Sequence, residues 1–394
     1  MVNIKKRFLM IILLLMTFIL SLNVYVNAVD DEADGTVNSQ SPSISEIYDE
    51  QLELSGAENI FDGLPEETKK ILSEMGITSI DYDTVTNFDI SSVFEQIISL
   101  VGTNSSTPLG GMTVCLGIML LCSLVEGFNV TIGQKSIGTV SSVVGTLCVC
   151  TAIIVPLCST ISSTVEIING ASGFMLMYIP IMAGLMVASG KETSGASYYA
   201  MMMGAGEIIS QLASKIISPL MNIFFALSVT SSLSPRMKLN SLCSSVYNIA
   251  KWIITFSMSI FVTILSLQTF ITSSMDSVSH KALKFAMSSF VPVVGSTLGE
   301  ALTAFSGSVE LLKSGAGVFV IIASAFVFLP VLIECIVWQF SLFFLSSASD
   351  IFGLSQMTGL FKMISKVVAM MVAVILCIMT IFILSTVIIL FVGK

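Results

Sequence analysis

Long apolar runs separated by short polar joints make up the chain from residue 109 onward. A transmembrane helix needs about 20 consecutive apolar residues, because it rises 1.5 Å per residue across a hydrocarbon layer of about 30 Å. Eight runs approach that length, at 109–128, 137–158, 171–188, 204–229, 249–271, 285–304, 315–340 and 367–391. The pattern predicts an all-α, polytopic helical membrane protein with a membrane domain over 109–394.

Prolines lie within several of these runs. Proline lacks a backbone donor and its ring clashes with the preceding turn, so it kinks or interrupts a helix. The segments around Pro180, Pro219, Pro292 and Pro330 are therefore predicted as broken helices. The two segments at Pro180 and Pro292 would either cross the bilayer or dip in and return, which leaves eight or six crossings.

Basic residues favour the cytoplasmic ends of membrane helices. Eight crossings place Lys191 on the cytoplasmic side and leave Arg236 and Lys238 outside, whereas six crossings reverse these assignments. The distribution of positive charge therefore leaves both topologies open.

A weak internal repeat relates two parts of the membrane domain. The sequence Gly-Ala-Gly at 204–206 recurs at 315–317, an offset of 111 residues, and each copy precedes a proline by thirteen residues. This offset defines repeat units at 137–233 and 249–345. Three crossing segments in each unit would give the copies opposite orientations, as in many transporters. Chance is the alternative, because Gly, Ala and Pro are common in membrane helices.

Small residues recur every four positions at Gly295, Gly299, Thr303 and Gly307. This spacing places them on one helical face, where another helix backbone can approach closely. Glu300 comes directly after Gly299 and places a carboxylate in an otherwise apolar segment. The face is interpreted either as a tightly packed structural helix or as a re-entrant helix that lines a polar path.

A polar stripe is predicted along a second helix, where Glu207, Gln211 and Lys215 follow one another at steps of four. It indicates a water-lined path or a helix that lies partly at the membrane interface. Glu334 is surrounded by apolar residues, and a charge there costs ~2.5 to 3.5 kcal/mol at a bilayer centre on insertion scales. A buried partner or a polar lumen is therefore expected beside Glu334.

The first 28 residues have the features of a cleaved signal peptide. Three basic residues at 5–7 precede an apolar core at 8–22, and Val26-Asn27-Ala28 supplies the small residues that a signal peptidase requires. An uncleaved anchor is the alternative. Either arrangement places residue 29 and those after it outside the cytoplasm.

Residues 29–108 are predicted to form a small acidic extracytoplasmic helical headpiece. They contain 17 Asp or Glu and two Lys. Pro65 and Gly76 suit the first turn and the stop of a short helix, while Ser92 and Glu95 form a capping box ahead of a second helix that Gly102 would end. Its small size predicts that the headpiece docks on another surface, although a solvated acidic spacer is equally compatible with the charge.

Catalytic and cofactor chemistry finds little support in the sequence. All eight Cys lie in or beside apolar runs, and a single His gives no metal cluster or His-dependent triad. The chain has no G-x-x-x-x-G-K-[ST] motif for ATP binding. We expect a protein without cofactor or enzymatic activity, and one that binds no nucleic acid.

The central stretch at 276–317 resembles the stage III sporulation protein AE family. The resemblance is carried by DSVSHK at 276–281, KF at 284–285, VPVVG at 291–295 and LKSGAG at 312–317. Its basic joint is formed by His280, Lys281 and Lys284. An Arg-Thr pair is expected where this chain has His280-Lys281, so positive charge is kept without a guanidinium group.

The resemblance implies a multi-pass protein of the mother-cell membrane around the developing forespore. It implies partners in an operon-encoded complex, with an ATPase, ring-forming subunits and a forespore protein across the intermembrane space. That apparatus is interpreted as a channel that sustains forespore development and late gene expression. From the residues alone, a secondary transporter or permease for a small solute remains the alternative, and an intramembrane enzyme a more distant one.

Overall fold

A computed structural model describes residues 44–80, 90–132, 135–233, 240–290 and 295–391, with the backbone alone at several helix ends and over 268–290 and 295–306. Within these ranges the chain forms helices and no strands, which confirms the all-α prediction. The predicted signal peptide at 1–28, the start of the headpiece and Pro292 lie outside the described residues.

The described residues of the predicted headpiece, 29–108, form short helices, the last of which lies mostly within the apolar stretch Ser92–Phe128 that could span a membrane. They are α1 (Ile44–Ser55), a 3₁₀ turn (Ala57–Ile60), α2 (Glu66–Glu74) and α3 (Ile90–Asn104). The α2 helix begins after Pro65, and Gly76 follows it with a φ of 79°, the left-handed conformation that glycine adopts without strain. The predicted stop at Gly102 is wrong, because α3 continues through it to Asn104.

The membrane body consists of longer helices. They are α4 (Ser106–Ile132), α5 (Lys135–Ala188), α6 (Glu192–Leu212), a π-helical turn (Ala213–Ile217), α7 (Ser218–Leu233), α8 (Asn240–Phe290), α9 (Gly295–Ile351) and α10 (Ser355–Phe391). Six stretches of the described chain are long and apolar enough to span a membrane. These are Ser92–Phe128, Val143–Ala188, Glu192–Ser231, Ser241–Leu267, Val309–Ile351 and Ser355–Leu390.

The predicted joint between the runs at 137–158 and 171–188 is wrong, since both runs belong to α5. Polar residues between them remain helical because their hydroxyls bond to carbonyls one turn back. Thr164 donates to the Thr160 carbonyl at 2.8 Å, while the single proton of the Thr160 hydroxyl is shared between the Pro156 carbonyl at 3.0 Å and Glu334 Oε1 at 2.6 Å. Neither hydroxyl needs water. The first repeat unit therefore contains two helical passes rather than three, and the repeat itself stays a prediction.

The predicted breaks at Pro180 and Pro330 are also wrong, because α5 and α9 continue through them. Packed neighbouring helices allow a membrane helix to keep such a proline. At Pro219 the irregularity lies one turn earlier, in the π-helical turn, where the Ser218 N–H bonds to the Ala213 carbonyl five residues back. Pro219 itself lies in the first turn of α7.

Helices α9 and α10 form the centre of the body as an antiparallel pair. Gly353 makes the turn between them with a φ of 75°. The rings of Phe328 and Phe382 meet edge to face at 5.7 Å, and nearer the start of α9 Gly317 lies against Leu390. In the most apolar window of α9, 89% of the residues are buried. The remaining long helices surround this pair.

The headpiece packs on one end of the body, here named the headpiece end. Tyr48 and Ile80 close its small core, with the Tyr48 hydroxyl donating to the Ile80 carbonyl at 3.0 Å. The rings of Phe61 and Phe319 of α9 meet at a tilt of 43° with centroids 6.2 Å apart, and Gly63 lies against Met177 of α5. The opposite end, where α4 meets α5, α7 meets α8 and α9 meets α10, is the far end.

Candidate functional site

A chain of polar side chains runs along the outer face of α6 and the π-helical turn. The Gln211 amide donates to Glu207 Oε1 at 2.7 Å, and Lys215 Nζ donates to Gln211 Oε1 at 2.9 Å. All three side chains are exposed on the single chain. The spacing of four residues seen in the sequence thus corresponds to one connected hydrogen-bond chain.

Asn169 of α5 extends this polar region across the neighbouring helix. Its Oδ1 accepts hydrogen bonds from Ser210 at 2.9 Å and from Ser214 at 3.0 Å. We name the six side chains together the α5–α6 polar surface: Asn169, Glu207, Ser210, Gln211, Ser214 and Lys215. Sequence reasoning missed Asn169, although Ser210 and Ser214 bracket Gln211 and signal a wider polar face.

The α5–α6 polar surface lies within two stretches that are apolar enough to span a membrane, Val143–Ala188 and Glu192–Ser231. Charged groups in such segments usually face a bundle interior or a water-filled space, because exposure to hydrocarbon is costly. Here they face away from the chain's own core. The surface can therefore border water or bind another polypeptide.

Glu334 is half-buried between α9 and α5. Its Oε1 accepts a hydrogen bond of 2.6 Å from the Thr160 hydroxyl, which is buried. A charge-assisted bond of this kind lowers the cost of placing a carboxylate in an apolar setting. The partner is thus a hydroxyl of a neighbouring helix. No group of three His, Cys, Asp or Glu in the described part of the chain could hold a metal ion.

A cluster of three charges lies at the headpiece end. Glu310 Oε1 is 3.8 Å from Lys191 Nζ and 3.7 Å from Lys313 Nζ, and the Lys313 side chain is only 1% exposed. Two lysine ammonium groups therefore share one carboxylate. Because Lys191 lies in the joint between α5 and α6, whereas Glu310 and Lys313 lie on α9, the cluster links that joint to α9. Glu310 and Lys313 are three residues apart, so their contact could be predicted from the sequence of a helix. The contact of Lys191 with Glu310 could not, because it depends on how the helices pack.

The small-residue face lies at the start of α9. Gly307 is exposed, and among the described side chains none lies within 4 Å of a Cβ atom added there. The surroundings of Gly295, Gly299, Thr303 and Glu300 lie outside the described side chains, as do those of His280, Lys281 and Lys284 on α8.

Other glycines mark the close helix contacts within the chain. A Cβ at Gly195 of α6 would lie 2.8 Å from the Ala183 carbonyl oxygen of α5. Gly145 lies against Cys122 and Gly111 against the ring of Trp338. Such glycines let helix backbones approach in lipid, where packing rather than hydrophobic burial drives association.

Comparison with known proteins gives one family. The family described as Stage III sporulation protein AE matches residues 79–393, which include α3 to α10. Stage III sporulation protein AE of Bacillus subtilis (strain 168) is 25% identical over 158 residues, a stretch that covers 40% of this chain and 40% of that relative. No solved structure matches. Because the family match extends over far more than half of its length, the chain belongs to the stage III sporulation protein AE family.

Proposed function

We propose that this chain is a non-enzymatic membrane subunit of a sporulation channel complex in the mother-cell membrane around the forespore. Family membership implies a role in sporulation. The observation that carries the proposal is the extent of the match, since residues 79–393 include all six stretches able to span a membrane. The function therefore belongs to the membrane body as a whole.

The α5–α6 polar surface supports a role as one subunit among several. Glu207 and Lys215 lie on the outside of a span, and exposure to lipid would be unfavourable for both. A neighbouring subunit or a water-filled conduit would remove that cost. We propose that this surface borders the polar path of the assembled complex, with Glu334 held inside the wall by Thr160.

The distribution of charge supports an extracytoplasmic headpiece. Six crossings bring the joints at 133–134, 234–239 and 352–354 to the far end. The basic residues in or near these joints are Lys135, Arg236, Lys238, Lys362 and Lys366. We propose from these five residues that this end is cytoplasmic, although Lys191 and Lys313 lie at the headpiece end. The acidic headpiece then extends into the space between the two membranes.

The partners proposed for the chain follow from this orientation. Ring-forming subunits and a forespore protein would meet the headpiece end, and an ATPase would act from the cytoplasmic far end. The chain contains no P-loop motif of its own. We therefore propose that any energy for transport comes from that ATPase.

The test replaces the native gene, in the endospore-forming bacterium that carries it, with variants at matched protein levels. Gly299→Leu introduces a bulky side chain into the predicted contact face of α9, and Leu302→Ala changes another face of that helix. We expect Gly299→Leu to lower both the yield of heat-resistant spores and the recovery of the complex. The Leu302→Ala strain should sporulate normally.

Two results would contradict the proposal. The first is normal sporulation in a strain that lacks the gene. The second is ion-coupled uptake of a small solute by vesicles that contain this chain alone, which would favour the transporter. Normal spores and normal complex in Gly299→Leu would contradict only the role of the small-residue face.

A further inference from the structure

A cleft between α8 and α10 combines an apolar wall with one lysine that has no ion-pair partner among the described residues. It encloses about 310 Å³ and lies within two of the spans, Ser241–Leu267 and Ser355–Leu390. Ile254, Met258 and Cys377 contribute apolar surface along its length, while Lys251 and Tyr247 lie toward the end nearer the start of α8. The cleft is open on the outside of the body.

Lys251 has no counter-charge in the described part of the chain. The ion pairs there join Lys69 to Glu66, and both Lys191 and Lys313 to Glu310. Lys251 is exposed, and it lies about 17 Å along α8 from Asn240, inside an apolar stretch. A lysine in that position is expensive unless an anion meets it or its head reaches the interface.

The direction of the Lys251 side chain favours binding of an anion in the part of the cleft that lies nearer the far end. Side chains lean toward the N-terminus of their helix. Because α8 begins at the far end, Lys251 leans toward the cluster of basic joints there. Lys366 of α10 lies one turn before Met370, which lines the same cleft. The far end of the cleft is therefore basic.

An aromatic pair places this part of α8 near lipid head groups. Trp252 and Phe256 stack with ring centroids 5.0 Å apart and planes 8° apart, and both rings are exposed. Trp is enriched at the boundary between the apolar layer and water. Lys251 is the immediate neighbour of Trp252, which favours a depth at which its ammonium can meet a lipid phosphate.

We propose that the α8–α10 cleft binds one anionic phospholipid. The lipid phosphate pairs with Lys251, and one acyl chain lies along Ile254, Met258 and Cys377. The phosphate supplies the missing counter-charge, and the acyl chain fills a volume that hydrocarbon fits. Basic pockets between membrane helices on the cytoplasmic side have this chemistry. The proposal depends on neither the channel role nor any partner subunit.

The test measures lipid retained by the full-length protein in native mass spectrometry. Protein is exchanged against vesicles of phosphatidylglycerol or of phosphatidylcholine with the same acyl chains, then transferred to detergent. We expect one phosphatidylglycerol to be retained in preference to phosphatidylcholine. Lys251→Gln should weaken retention about fivefold, the factor that corresponds to ~1 kcal/mol for one lysine near an anionic surface.

Two further variants separate the cleft from general surface charge. Lys215→Gln removes another exposed lysine, from the α5–α6 polar surface, and should retain the lipid as the unchanged protein does. Ala373→Phe fills the exposed α10 side of the cleft and should expel the lipid while all charges remain. Equal loss in Lys215→Gln and Lys251→Gln would overturn the proposal, as would equal retention of the two lipids.

A photo-crosslinking residue at Ser259, which lines the cleft, tests its occupant in cells. We expect crosslinks to phospholipid. Crosslinks to a polypeptide alone would show that a neighbouring subunit covers the cleft and would overturn the proposal.

Discussion

The two tryptophans of the chain lie in opposite settings within one membrane body. Trp338 is fully buried in α9, against Gly111, whereas Trp252 on α8 is 63% exposed. The helices differ in the same sense. In their most apolar windows, 89% of α9 and 11% of α8 are buried. The central helix is thus enclosed by protein, and the peripheral helix presents most of its surface outward.

This difference shows what apolarity means in a membrane protein. Lipid is as apolar as a protein interior, so hydrophobic residues alone do not tell a core helix from an outer one. The charged positions do tell them apart, because Lys215 and Lys251 both lie on outer helices and face outward. Outward charges inside a span identify surfaces that meet water, head groups or other subunits.

The largest expected effect comes from removing the central tryptophan. Trp338→Ala leaves a cavity between α9 and α4 that the surrounding helices fill only in part, and it should lower the free energy of unfolding by about 3 kcal/mol. Thermal unfolding of the detergent-solubilised protein measures the change. Trp252→Ala is the matched control, and it should lower stability by less than about 1 kcal/mol because its ring contacts mainly Phe256.

Equal losses in the two tryptophan variants would contradict the assignment of α9 to the centre and α8 to the periphery. They would indicate that α8 is buried in an assembly that persists in detergent. Size-exclusion chromatography of both variants separates that case from a fold in which α8 is central.

A smaller effect is expected at the contact between α5 and α6. Gly195→Leu forces a side chain against the Ala183 carbonyl, 2.8 Å from the Cβ position, and against Val187. Overpacking of this kind should cost ~1 to 3 kcal/mol. Gly204→Leu is the control on the same helix, because a Cβ there meets nothing within 4 Å.

Thermal unfolding distinguishes these two glycine variants in the monomer. A larger loss of stability in Gly204→Leu than in Gly195→Leu would contradict the close contact between α5 and α6 at Gly195. A defect of Gly204→Leu in sporulation alone, with normal stability, would show that another subunit packs beside Gly204.

The smallest effect is expected at the half-buried carboxylate of Glu334. Thr160→Val removes the hydroxyl that donates to Glu334 but keeps the shape of the side chain, and it should cost ~0.6 to 2 kcal/mol. Thr151→Val on the same helix is the control, because its exposed hydroxyl bonds only to carbonyls of α5. Equal stability of the two variants would indicate that Glu334 has a different partner.

The sequence sufficed for the helical class and for one short helix of the headpiece. Apolar length predicted the class, and Pro65 and Gly76 marked both ends of α2 because their effects are local. These features depend on nothing beyond neighbouring residues. Gly102 shows the limit, since a glycine is tolerated within a helix when the segments on both sides continue it.

The long helices could not be predicted from local signals. A hydroxyl such as that of Thr164 appears polar in the sequence, yet its hydrogen bond to the Thr160 carbonyl lets α5 continue. Helices α5 and α9 continue through Pro180 and Pro330 for a related reason. Packing against neighbouring helices compensates for the backbone hydrogen bond that each proline removes. The stripe from Glu207 to Lys215 followed from spacing, whereas Asn169 is separated from it by 38 residues in sequence and needed the fold.

The length of α5 has a mechanical consequence. Its 54 residues extend about 80 Å without a joint, from the far end to beyond the docked headpiece. Bending a helix costs least where a backbone hydrogen bond is already missing, and α5 has such positions at Pro156 and Pro180. A pull on the headpiece would therefore tilt α5 as a lever or flex it at these two prolines, and the load would reach the opposite face of the membrane through a single element.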